Sequence, residues 1–80
     1  MRGIQVKLHL TPNLQDMLGD VSPRLDLVVP AGTTVRDVLH KAGIPLPAVY
    51  MVIQGRTCIH RDDALSSDTE LTLLAPVAGG

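Results

Sequence analysis

Eighty residues with a net charge of −1 and 45% apolar content describe one small domain, and a chain of that size buries only about 60% of its unfolded surface. Tyr50 is the sole aromatic residue, so the core must be aliphatic, and the seven Lys and Arg are scattered singly, which argues against nucleic acid as a partner. No apolar run approaches a membrane span, the first residues lead into an alternating strand instead of a signal peptide, and the single Cys58 fits a reducing compartment, so a soluble cytoplasmic protein is expected.

Ile4, Val6, Leu8 and Leu10 alternate with Gln5, Lys7 and His9, a period of two that predicts a half-buried first strand. Thr11-Pro12-Asn13 breaks it. Residues 14–23, punctuated by Gly19 and Pro23, read as a long connection with one helical turn at most. Leu25, Leu27 and Val29 then alternate with Arg24, Asp26 and Val28 up to Pro30, which predicts a second strand antiparallel to the first.

The main helix follows Ala31-Gly32-Thr33-Thr34. Thr34 is its expected cap, Asp37 lies at the positive end of the dipole, and Gly43 is placed to end it. Val35, Val38, Leu39 and Ala42 form one apolar stripe, leaving Arg36, His40 and Lys41 in water. Ile44-Pro45-Leu46-Pro47 is expected to be extended, because each Pro disfavours helical geometry in the residue before it. Residues 49–53 are apolar without alternation and read as a third strand, buried on both faces or covered by a loop. Gly55 marks a turn, residues 56–59 a short fourth strand, and residues 60–68 a polar loop anchored by Leu65.

Glu70-Leu71-Thr72-Leu73-Leu74 alternates again and predicts a fifth strand with Leu71 and Leu73 inward and Leu74 outward. Beyond it, Pro76 stops pairing and the chain finishes Val77-Ala78-Gly79-Gly80. The expected division is a folded domain over residues 1–75 and a tail over residues 76–80. Two glycines at the end leave no side chain to obstruct a narrow channel, and without a partner such an end is expected to be disordered.

Other candidate chemistry reads as structural. Cys58, between Thr57 and Ile59, is placed by pattern as a small buried hydrophobe. His9, His40 and His60 lack ligand spacing and fall on polar faces or loops, so no metal site is expected. Asp62-Asp63 reads as a solvated turn, and no phosphate-binding Gly-rich loop occurs.

Strand, strand, helix, strand, short strand, strand is the order of a β-grasp, or ubiquitin-like, α+β fold: a mixed sheet of four to five strands on one main helix. Pro76-Val77-Ala78-Gly79-Gly80 after an apolar strand, together with Ala31-Gly32-Thr33-Thr34-Val35-Arg36-Asp37-Val38-Leu39, resembles the MoaD/ThiS family of sulfur carriers. The resemblance implies a co-substrate instead of an enzyme, whose Gly80 carboxylate, escorted by Gly79, is adenylated by an E1-like enzyme and converted by a persulfide donor to a thiocarboxylate. It implies ATP and Mg²⁺ in the partner and no cofactor in this chain. The aliphatic cluster of Leu74 with Pro76, Val77 and Ala78, expected to be exposed beside the tail, is read as the surface that docks on that enzyme. The acceptor would be a synthase subunit, with molybdopterin favoured over the thiamine thiazole, an amino acid or tRNA thiolation. A ubiquitin-like modifier joined to lysine through Gly80 is the alternative.

Overall fold

The computed structural model describes residues 3–19 and 21–76. The expected alternation builds β1 (Gly3–Leu10), whose Ile4, Val6, Leu8 and Leu10 are all buried, and β2 (Arg24–Pro30), antiparallel to it with Leu8 opposite Leu25 and Val6 opposite Leu27. β3 (Met51–Gln54), β4 (Thr57–Ile59) and β5 (Thr69–Leu74) complete one mixed five-stranded sheet in the order β2-β1-β5-β3-β4. The last strand thus lies at the centre, parallel to β1 and antiparallel to β3.

One main helix is expected, and the described residues contain two. The segment read as a connection contains α1 (Pro12–Leu18), equal in length to α2 (Val35–Lys41). The punctuation that argued against a helix marks its ends. Pro12 occupies the first turn, where its missing N–H matters least, and Gly19 at φ 83° closes it with its N–H on the Gln15 carbonyl at 2.9 Å. Leu14 supplies the driving force, being completely buried beneath the sheet, with Leu18 packed beside it.

α2 forms as its sequence predicts. The Thr34 hydroxyl accepts from the Asp37 N–H at 3.3 Å, while Val35, Val38 and Leu39 are fully buried. At the other end the Gly43 N–H donates to the His40 carbonyl at 3.1 Å and the Ile44 N–H to the Leu39 carbonyl at 2.9 Å, a Schellman closure that also buries Ile44. The polar loop after β4 completes the N-terminus: the carbonyls of Asp63 and Arg61 accept from Val35 N–H at 3.0 Å and Arg36 N–H at 2.8 Å. Leu65 is buried and anchors this loop, as expected.

Two further expectations change. Residues 46–48 are not extended but form a 3₁₀ turn (Leu46–Ala48), in which Ala48 N–H reaches Pro45 O and Val49 N–H reaches Leu46 O, both at 3.0 Å. Packing of Leu46 and Ala48 against the core overrides the local preference before Pro47. β3 begins at Met51 and only its Val52 is buried. Lying next to the edge strand β4, it has one face on the core and the other half open, so a run without alternation did not mean burial on both sides.

Replacing Leu14 with Ala should lower unfolding free energy by about 3 kcal/mol, since a fully buried leucine is truncated in a tightly packed core. Urea denaturation checks this; a loss below about 1 kcal/mol would mean that α1 is an ornament on the loop.

Candidate functional site

Every second residue of β5 enters the core, so Leu71 and Leu73 are fully buried while Thr72 and Leu74 lie on the opposite face, half-buried. Antiparallel partners share a face, so the register that sets Met51 opposite Leu74, Ile53 opposite Thr72 and Cys58 opposite Ile53 gathers Leu74, Met51, Ile53 and Cys58 on the outer side. This makes an apolar patch at the end of the sheet where β5 finishes. The strand is held to its last residue: Tyr50 N–H donates to the Leu74 carbonyl at 2.7 Å, and Thr11 N–H to the Leu73 carbonyl at 3.3 Å. Ala75 is buried and Pro76 half-buried, so the backbone is fixed up to the point where the described residues stop.

Toward β1 and β2 the same face turns polar. Lys7 lies beside Glu70 on one side and Asp26 on the other, and His9 lies beside Arg24. His9 Nε2 is 3.2 Å from Glu70 Oε2, a contact between strands 61 positions apart that inspection of either strand alone does not reveal. Asp68 Oδ1 accepts the Gln5 N–H at 2.8 Å, supplying β1 with a partner just before its pairing with β5 begins. The outer face is therefore divided, with the charges gathered over β1 and β2 beside an exposed Val28, and aliphatic side chains over β3 and the end of β5.

Of the residues expected to bind a partner, Leu74 belongs to this patch and Pro76 is half-buried two residues beyond it in the chain; Val77, Ala78, Gly79 and Gly80 lie outside the described residues. The reading of Cys58 as buried is corrected. It is exposed, because β4 is an edge strand and Cys58 falls on the side away from the core. Tyr50, absorbed by the sequence reading into a buried strand, is 66% exposed just before Met51. A strand without alternation carries no signal of which side a residue takes. Asp62 and Asp63 do not share a site: Asp62 pairs with Arg36 at 2.7 Å, and Asp63 Oδ2 accepts the His60 N–H at 2.9 Å. Among the described residues no group of three or more His, Cys, Asp or Glu is arranged to hold a metal ion, and no helix is long and apolar enough to cross a membrane.

Comparison with known proteins agrees with this arrangement. The model of the ThiS family matches residues 12–80. Among solved structures, SAMP1 from Haloferax volcanii superposes with a TM-score of 0.70 at 22% identity, covering 95% of this chain and 99% of its own. Small archaeal modifier protein 1 from Methanosarcina acetivorans gives 0.68 at 22% identity with complete coverage of both chains, 100% and 100%. A Pyrococcus furiosus protein described as molybdopterin converting factor, subunit 1, gives 0.67 at 15% identity, covering 92% and 99%. No curated protein sequence matches.

The two faces of β5 make a sharp paired test. Leu73→Asp should abolish cooperative unfolding by placing a carboxylate among aliphatic side chains, whereas the neighbouring Leu74→Asp should reduce stability by no more than about 1 kcal/mol. Equal losses in thermal denaturation would place Leu74 in the core and remove the patch.

Proposed function

This chain belongs to the ThiS family, of small ubiquitin-like carriers and modifiers, and from that premise we propose that it carries sulfur as a thiocarboxylate on Gly80. The observation that supports this most is the apolar patch of Leu74, Met51 and Ile53, set where β5 delivers the chain toward Pro76 and the Gly79-Gly80 sequence. Such a patch suits the surface of an E1-like adenylating enzyme, and the residues beyond it suit that enzyme's active site.

A carboxylate is a poor acyl donor because its leaving group is an oxide. The Gly80 carboxylate attacks the α-phosphorus of ATP bound with Mg²⁺ in the partner, pyrophosphate departs, and the acyl carbon now carries AMP as a good leaving group. The terminal sulfur of a persulfide donor displaces AMP. A second thiol then cleaves the S–S bond, leaving sulfur on Gly80 as a thiocarboxylate and a disulfide on the donor side. Gly79 and Gly80 present no Cβ to hinder these attacks. On this reading the folded domain ends at Ala75, Leu74 with residues 76–78 docks on the enzymes that handle the tail, and the chain is a cytoplasmic co-substrate that brings no catalytic group of its own. It acts with an acceptor synthase subunit, for which molybdopterin synthesis is the destination we favour.

The names of the archaeal neighbours support a second reading, a modifier joined through Gly80 to lysine amines. Adenylation is common to both, and the nucleophile distinguishes them. At neutral pH a lysine amine is almost wholly protonated, while a persulfide is ionised enough to react.

Incubation with an E1-like enzyme, ATP, Mg²⁺ and a persulfide donor should exchange one oxygen for one sulfur in the intact mass, localised to the C-terminal peptide. Because Cys58 is exposed and is the rival acceptor, Cys58→Ser should retain the shift. An unmodified terminus after demonstrated adenylate formation, or a shift that vanishes in folded Cys58→Ser, would refute sulfur carriage; lysine-linked adducts instead of the shift would establish the modifier.

A further inference from the structure

β2 closes one side of the sheet, and among the described residues nothing pairs with its far edge. The polarity of that edge follows from one hydrogen bond. Leu10 N–H donates to Pro23 O at 2.9 Å, and the β1–β2 register extends to this pair, so the backbone groups of Leu25, Leu27 and Val29 turn inward to β1. The opposite parity of β1 agrees, since Thr11 and Gln5 N–H groups turn to the β5 side, reaching Leu73 O and Asp68 Oδ1. The N–H and C=O groups of Arg24, Asp26 and Val28 therefore point out of the sheet. The row has defined ends: Pro30 has no donor and its carbonyl accepts from Thr33, while the Pro23 carbonyl is taken by Leu10.

We propose that this edge is an interface for a second copy of the chain, with β2 paired antiparallel to β2 about a two-fold axis at Leu25. The alternating charge selects the partner and the register. With Leu25 opposite Leu25, each Arg24 faces Asp26 of the other copy, and both of these pairs exchange their backbone hydrogen bonds. The half-buried Leu25 side chains meet on the core side and extend the apolar layer across the axis. Shifting the axis to Asp26 would set two carboxylates face to face. Shifting it to Leu27 would put Asp26 against Val28 and Arg24 against the donorless Pro30. Charged side chains and Pro commonly blunt a sheet edge, but Arg24 and Asp26 are of opposite sign, two residues apart, and complementary under a two-fold, so here the charges favour one partner and one register. The axis lies on the side of the sheet away from β3 and β4, so the patch around Leu74 stays free in both copies. This interface does not depend on what the Gly80 carboxylate does.

Sedimentation equilibrium from micromolar to millimolar concentration tests it, together with amide exchange on the same samples. The mass should rise toward that of two chains, more weakly at high salt, and the Arg24 and Asp26 amides should gain protection with concentration while those of Leu25 and Leu27, already bonded to β1, should not. Arg24→Asp or Asp26→Arg should each weaken association roughly tenfold, because each change acts twice across the axis, and the exchanged pair Arg24→Asp with Asp26→Arg should restore it. A chain that remains monomeric at millimolar concentration overturns the proposal. So does a dimer whose protection falls on Met51, Leu74 or β4, or a double exchange that does not recover association in a cooperatively folded variant.

Discussion

The arrangement rests on the pairing of the last strand between the first and the third. β5 can occupy the centre of the sheet only because Leu71 and Leu73 meet Leu8, Leu10 and Val52 on the core side, and burying those side chains outweighs the entropy of closing a loop of nearly the whole chain. With so little aromatic surface, stability has to come from aliphatic interlock. Every fully buried large side chain is Leu or Val, so small losses of volume are felt throughout. The same pairing fixes where β5 ends, and it sets an outer face beside that end.

Much of this was legible in the residues. The period of two in β1, β2 and β5, the Thr34 cap, the Gly43 stop and the Leu65 anchor are local signals that tertiary structure reinforces. α1 was missed because seven residues give one buried leucine and one partial neighbour, too few to establish a helical period, and its Pro and Gly were read as breakers when they are its start and stop. The exposure of Cys58 depends on which strand lies at an edge, and that of Tyr50 on where β3 begins, facts of topology that no window of sequence contains. The His9–Glu70 contact is likewise a product of the parallel β1–β5 register.

The candidate site divides in the same way. The acyl chemistry we propose rests on Gly79-Gly80, which composition alone brings forward and which lies outside the described residues; of the apolar patch, the sequence pointed only to Leu74. Met51 and Ile53 join it through the β3–β5 register, and without them Leu74 would be one half-exposed leucine of no significance. The described residues thus form an interior that holds the sheet and an outer apolar patch beside the end of β5. Among the described residues the far edge of β2 is unpaired, and it lies on the side of the sheet away from the patch.

If binding and chemistry are separated in this way, ATP–pyrophosphate exchange by the activating enzyme should distinguish them in one assay. Removal of Gly80 should eliminate exchange while the truncated chain still competes with the intact one for the enzyme. Leu74→Asp should raise KM at least tenfold with kcat little changed, the signature of lost uniform binding. A Gly80-deleted chain that neither exchanges nor competes, or a folded Leu74→Asp variant with unchanged KM, would contradict the account.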